Sequence, residues 1–288
     1  MDYHHPEQLI SVTELAEQLD NPNLRIFDTS VILAPSGHGY EITSGFADYQ
    51  QAHIPGASFI DLADSWADTR SPLRFTLPTP DVLANAIGAS GINADNQVVL
   101  YSSGHLMWAT RAWWLLHYAG HKNIAVLNGN FRAWQAADLP VASGSETYKA
   151  CEFAATADTT RFADTAEVAA GMHGAVCTIN SLSKSLYEGT GDFYYQRRGH
   201  IPGSKLMYYD ALLDNEHFLP AADLAEALEA QGILSADRVI TYCGGGIAAT
   251  LDAFACRLCG QTNVAVYDGS MSEWVMDDNR PLTVGADP

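Results

Sequence analysis

Two kinds of apolar pattern alternate along the chain. Short apolar runs that end at a tyrosine, Val98-Val99-Leu100-Tyr101 and Val239-Ile240-Thr241-Tyr242, have the length and the β-branched content of buried strands. Between such runs apolar positions recur at helical spacing, over residues 12–19, 79–87, 222–231 and 248–258, and predict helices that turn one face to a core. Strands alternating with helices in this way predict an α/β fold of mainly parallel sheets flanked by helices.

The pattern also repeats. His53-Ile54-Pro55-Gly56-Ala57 returns as His200-Ile201-Pro202-Gly203-Ser204, and each copy is followed by the tyrosine-terminated strand. After that, Val126-Leu127-Asn128-Gly129 with Trp134 matches Val266-Tyr267-Asp268-Gly269 with Trp274. Three anchors in one order mean two copies of one unit. The stretch around Ala142-Ser143-Gly144-Ser145 has few periodic apolar positions and reads as the connection. The expected organisation is a first domain over residues 1–142, a linker over 143–157 and a second domain over 158–288, for which 288 residues is a suitable length.

Composition removes several classes of function. With 47% hydrophobic and 17% charged residues the chain is globular, and no run approaches the roughly 20 apolar residues that a membrane helix needs. Met1-Asp2-Tyr3-His4-His5-Pro6 has neither the basic nor the apolar region of a secretory signal. A soluble, cytoplasmic protein with no membrane partner is expected. A formal net charge of −19 repels phosphate backbones, so nucleic acid is not expected as a partner either, and an anionic substrate must be held by local cations. The five cysteines, Cys151, Cys177, Cys243, Cys256 and Cys259, lack the spacing of a disulfide scaffold and read as reduced. Cys256 and Cys259 have redox-motif spacing, but they belong to an apolar helical pattern, and buried packing is the expected role. No cysteine–histidine spacing suits zinc, and no metal site is expected.

Cys243 differs from the other four. It directly follows the strand ending at Tyr242 and precedes Gly244-Gly245-Gly246-Ile247-Ala248. Chemistry in open parallel sheets collects at the carboxyl ends of strands, and three glycines reach backbone angles closed to other residues. Such a loop can turn successive N–H groups inward. Together with the positive end of the following helix they would stabilise anionic sulfur, and the same cradle suits a persulfide. The plainer reading, a small buried residue beside a tight turn, leaves the repeat anchors without a function.

Tyr49-x-x-x-His53-Ile54-Pro55-Gly56-Ala57 and Val266-Tyr267-Asp268-Gly269-Ser270-Met271-Ser272-Glu273-Trp274 resemble the two signatures of the rhodanese superfamily, specifically its tandem-domain thiosulfate and 3-mercaptopyruvate sulfurtransferases, and the likeness covers nearly the whole chain. The resemblance implies a catalytically silent N-terminal domain and a catalytic C-terminal one, whose cysteine, here Cys243, heads a six-residue loop ending at Ala248. Ser102 stands at the corresponding place in the first copy, and a serine cannot hold sulfane sulfur. The resemblance further implies double displacement: Cys243 takes sulfur from thiosulfate or 3-mercaptopyruvate and passes it, as a persulfide, to cyanide or a thiol. The partners are then a small-molecule donor and acceptor, no cofactor is required, and the oligomeric state is left open.

The sequence also departs from the family pattern. Gly245 and Ala248 stand where the mercaptopyruvate type carries hydroxyls, and Asn180-Ser181-Leu182 replaces Asp-Ala-Arg. Leu186 replaces a substrate-binding arginine, and Phe75 replaces the histidine of a Ser-Pro-Leu-x-His segment. The candidates for gripping an anionic donor are therefore Arg197 or Arg198, just before Gly199-His200, with Arg74 contributed by the first domain, since guanidinium bonds oxyanions bidentately. His53 and His200 are expected to brace their turns rather than to move protons. Two rivals remain. A cysteine phosphatase needs an arginine where this chain has Ala249, and a silent binding or regulatory module, suggested by Asn180, Leu186 and Phe75, gives no reason for Cys243.

Overall fold

A computed structural model of the chain describes residues 2–36, 39–172, 174, 176–191 and 195–288. The first half supplies strands β1 (Leu9–Ile10), β2 (Leu24–Asp28), β3 (Val31–Ser36), β4 (Gly39–Ser44), β5 (Ala57–Phe59), β6 (Gln97–Tyr101) and β7 (Ile124–Leu127). The second supplies β8 (Phe162–Ala163), β9 (Cys177–Asn180), β10 (Lys205–Leu206), β11 (Leu213–Asp214), β12 (His217–Phe218), β13 (Val239–Tyr242) and β14 (Val264–Tyr267). β3–β4 and β11–β12 are antiparallel hairpins. The other strands form two sheets in which every pairing is parallel, ordered β1-β7-β6-β2-β5 and, from the corresponding edge, β8-β14-β13-β9-β10. The two orders are equivalent, so the duplicated anchors fold into one duplicated topology, with helices on the sheet faces as the alternating pattern predicts.

The helices are α1 (Val12–Ala16), α2 (Phe46–Gln51), α3 (Pro80–Ala89), α4 (Met107–Tyr118), α5 (Asn130–Ala136), α6 (Thr165–Gly171), α7 (Lys184–Tyr187), α8 (Ala221–Ala230), α9 (Ala248–Leu258) and α10 (Ser270–Trp274). α1 begins where Ser11 and Glu14 form a reciprocal capping box. It stops short of the 12–19 span because its last amides tighten onto i−3 carbonyls, Gln18 N to Leu15 O at 3.0 Å.

α4 and α9 follow the central strands β6 and β13 and pack against each other at the middle of the molecule. Every residue of α9 and all of α4 except His117 is buried, as befits helices with almost no polar face. The Thr110 and Thr250 hydroxyls meet at 3.0 Å, and the rings of Trp113 and Phe254 lie 4.9 Å apart, edge to face. One apolar core thus runs through both halves, while smaller clusters around Trp134 and Trp274 cover the far faces of the two sheets. Residues 143–157 carry no helix or strand. They lie along the first half, where the Tyr148 hydroxyl accepts from Ile26 N (2.9 Å) and donates to Gly56 O (2.6 Å), and Thr156 N donates to Ala119 O (2.9 Å). Among the described residues no helix is long and apolar enough to cross a membrane.

Candidate functional site

Cys243 stands at the carboxyl end of β13, which pairs with β9 on one side and β14 on the other, and is 3% exposed. The start of α10 clamps the outside of its loop. Ser270, at φ +49°, turns its hydroxyl back so that Oγ accepts from Cys243 N (3.0 Å) and Gly246 N (3.1 Å) while donating to Tyr267 O (2.7 Å). Met271 N donates to Cys243 O at 3.1 Å, and both Ser272 N (2.9 Å) and Ser272 Oγ (2.7 Å) donate to Gly244 O. Gly246 must be glycine: its φ is +76°, and a Cβ would lie 2.5 Å from Asp268 O. The amides of Gly244, Gly245, Ile247 and Ala248 make no hydrogen bond to another described residue. The arrangement is a backbone nest at a helix start, beside a thiol, and it can stabilise a negative charge on sulfur.

The first half reaches into this loop. Arg111 of α4, 1% exposed, pairs with Asp268 Oδ1 at 2.8 Å and donates to Gly246 O (3.2 Å) and Phe75 O (2.6 Å). Asp268 Oδ2 in turn accepts from Leu77 N at 2.7 Å. One buried guanidinium therefore fixes the Cys243 loop, the turn after β14 and the segment that carries Arg74 and Phe75.

Cys243 opens onto a cavity of about 510 Å³ between the halves. Its walls are apolar and aromatic: Leu33, Tyr40 and Ile42 of the β3–β4 hairpin, Phe75 and Trp108 of the first half, and Leu182, Leu186, Tyr195 and Tyr209 of the second. The Phe75 and Trp108 rings are 5.3 Å apart. The Tyr195 hydroxyl lies so close over the loop that a Cβ at Gly244 would overlap it. Burial, reinforced by its neighbours Tyr208, Asp210 and Cys243, holds the Tyr209 phenol protonated well above the usual tyrosine range.

Of the candidate arginines, Arg74 lines this cavity and is exposed. Arg197 does not line it: its guanidinium donates to Asp277 O (2.9 Å) and Arg280 O (2.7 Å), which uses its planar fork on the C-terminal segment. Arg198 is exposed and also lies outside the cavity lining. His53 and His200 are fully buried, each with Nδ1 against a carbonyl oxygen, Tyr49 O at 2.8 Å and Tyr187 O at 2.9 Å, and each pairs its backbone across a bridge, with Ala142 and Thr283. Cys256 and Cys259 are buried, and burial pushes both thiols up, Cys259 to about 11.

The loop after β6 is built on the same plan. Ser102 N donates to Asn130 Oδ1 (2.9 Å), where Asn130 at φ +57° takes the place of Ser270. Ser103 N donates to Ser30 Oγ (2.7 Å), and Leu106 N donates to Glu216 Oε2 (2.7 Å), which also accepts from Asn130 Nδ2 (3.1 Å). The first copy has its cradle filled by its own and its neighbour's side chains, and a hydroxyl where the second has a thiol. Sequence reasoning missed Ser270, Arg111, Tyr195 and Tyr209. The one clear signal was Arg111, a lone charge in the apolar run Trp108-Ala109-Thr110-Arg111-Ala112-Trp113-Trp114.

A rhodanese-like domain family model matches residues 11–137 and 185–277. The chain is 33% identical over 286 residues to a protein of Pseudomonas aeruginosa named "Probable 3-mercaptopyruvate sulfurtransferase", with 96% of this chain and 98% of that one covered. It is 32% identical over 277 residues to a thiosulfate sulfurtransferase of Cricetulus griseus, covering 92% and 91%. The crystal structure of SseA from Escherichia coli, a 3-mercaptopyruvate sulfotransferase, matches with a TM-score of 0.82 at 27% identity, over 91% of this chain and 98% of that one. The duplicated parallel sheets, the signatures and these relatives agree: the chain belongs to the rhodanese-like family, as a tandem-domain member of its sulfurtransferase branch.

Proposed function

We propose that the protein moves sulfane sulfur from a donor of the thiosulfate or 3-mercaptopyruvate kind to cyanide or a thiol, through a persulfide on Cys243. The observation that carries this reading is the nest around Cys243, with four loop amides and a helix start at one thiol. The Cys243 thiolate attacks the outer sulfur of the donor; a new S–S bond forms as the donor's bond to that sulfur breaks, and sulfite, or pyruvate as its enolate, leaves with the electron pair. The amides of Gly244, Gly245, Ile247 and Ala248 then hold the terminal sulfur anion until a second nucleophile removes it. Gly246 shapes the turn.

Arg74 is the cation proposed to meet the donor's anionic end, and Arg197 is reassigned to closing the C-terminal segment. The N-terminal half, about residues 1–142, is proposed to be catalytically silent, with Ser102 in place of the thiol and Glu216 and Ser30 filling the loop. All five cysteines are unbridged, which fits a reducing, cytoplasmic setting.

Intact-mass spectrometry after exposure to donor should find an adduct of about 32 Da, one sulfur atom, on the native chain, and thiocyanate should form when cyanide is added. Both should vanish in Cys243→Ser. Loss of neither, or absence of both in the native chain with every donor, rejects the carrier reading.

A further inference from the structure

The loop after Cys243 meets a sulfur anion with backbone amides alone, because residues 244–248, Gly-Gly-Gly-Ile-Ala, carry no side-chain donor. The outer sulfur of a persulfide stands one bond farther into the cavity, within reach of whatever hydroxyl the walls aim at the loop. Other lining hydroxyls are engaged elsewhere: Ser272 Oγ donates to Gly244 O (2.7 Å), Ser183 Oγ lies 3.2 Å from Ser185 Oγ, and the Tyr209 phenol is hydrogen-bonded to that of Tyr208. The Tyr195 hydroxyl stands over Gly244, the residue next to the thiol, so close that a Cβ there would overlap it. Its ring packs on the apolar cluster that contains Tyr242, Met271 and Trp274. Two residues on, the Arg197 guanidinium ties the same segment to Asp277 O (2.9 Å) and Arg280 O (2.7 Å). The phenol is therefore held in place before any sulfur arrives, and a donor fixed in advance stabilises charge without reorganising.

We propose that Tyr195 is a catalytic residue of the sulfur transfer, its hydroxyl donating a hydrogen bond to the outer sulfur of the Cys243 persulfide from the cavity side. The inference rests on the Cys243 persulfide reading. The hydroxyl keeps its proton, and no bond to it is made or broken. It adds a side-chain donor to the charge that the loop amides meet from the backbone. The outer sulfur exists only in the loaded enzyme, so this hydrogen bond favours the persulfide over the free thiolate.

The test is a loading equilibrium on the full chain, E–S⁻ + S2O3²⁻ ⇌ E–S–S⁻ + SO3²⁻, balanced in atoms and charge and read by intact mass in mixtures of thiosulfate and sulfite. It is approached from the free enzyme and from enzyme loaded with 3-mercaptopyruvate, so the half-loading ratio reports persulfide stability and not a rate. Tyr195→Phe keeps the ring and should need roughly tenfold more thiosulfate relative to sulfite, the loss of one hydrogen bond to a charged group, at an unchanged melting temperature. Gly244→Ala displaces the hydroxyl instead of deleting it and should produce part of the same shift. The double variant should shift no further than the larger single effect, since both changes act on one contact. An unchanged half-loading ratio in Tyr195→Phe overturns the proposal and leaves the carrier intact, as do single shifts that multiply in the double variant. No adduct on the native chain from either donor removes the carrier reading, and this inference with it.

Discussion

Asp28 and Asn180 close the equivalent strands β2 and β9, opposite Tyr101 and Tyr242. Each accepts from the amide two residues on, Ser30 N at 2.8 Å and Leu182 N at 2.8 Å. The difference is a charge. Burial pushes the Asp28 carboxyl up to about 6, against the pull of hydrogen bonds from Ser30 and Ser103. The folded chain therefore binds this proton more tightly than the unfolded one, whose carboxyl titrates near about 3.9. The group's contribution to stability is full below about pH 4 and is lost as pH rises through about 6, a loss on the order of 2–3 kcal/mol at neutral pH. Asp28→Asn, which copies the second half, should keep the bonds from Ser30 and remove the charge. Its melting temperature should exceed that of the native chain at pH 8, and the two should converge near pH 4. An equal gap at both pH values would show that ionisation of Asp28 is not the cause.

The loop from Cys243 to Ala248 takes its shape from α10 as much as from its own glycines. Ser270→Ala leaves Cys243 N and Gly246 N without their acceptor, a cost of about 1–3 kcal/mol, and lets the amides that face the cavity drift. Persulfide formation at saturating donor should fall roughly tenfold, with KM changed less, and Ser270→Asn should recover part of it. Asparagine tolerates positive φ, and Asn130 already does this work for the loop after β6. A full-rate Ser270→Ala enzyme would mean that the glycines alone hold the nest. The elements themselves were legible in sequence wherever one period ran uninterrupted: β13 and α9 have the bounds that the apolar run and the helical pattern mark. α1 was overextended because apolar spacing continues past the point where the backbone tightens. The β3–β4 hairpin was missed although it walls the cavity, since its outer positions are mixed and exposed. The place of Cys243 at the carboxyl end of a strand could be read. Ser270 could not, because a serine in a turn carries no mark of whose amides it will serve. Arg197 was misdirected for a similar reason: sequence places it near the site, but not which way its fork points.

At the scale of the molecule, each half finishes the other's loop. Glu216 Oε2 reaches from the second half to Leu106 N and Asn130 Nδ2, and Phe218 N donates to Asn128 Oδ1 at 2.9 Å, the counterpart of Leu77 N on Asp268 Oδ2. Arg111 crosses in the opposite sense and gathers Asp268, Gly246 and Phe75. A pair of this kind is weak as a source of net stability, since desolvation offsets much of the attraction, yet breaking one partner leaves a charge stranded at a cost of up to about 3–5 kcal/mol. The partial exposure of Asp268 sets this case toward the lower end. Arg111→Met should therefore lower the melting temperature, and adding Asp268→Asn should restore part of the loss, because the stranded carboxylate is gone. Turnover should separate from stability in that double variant: nothing would hold Gly246 O and Phe75 O, so the loop and the Phe75 wall would lose their register while the fold recovers. Measuring melting temperature and persulfide formation on both single variants and the double gives the coupling directly. Joint recovery of both quantities would reduce Arg111 to a counter-ion; recovery of stability alone would show that Arg111 of the first half positions the loop and wall of the second.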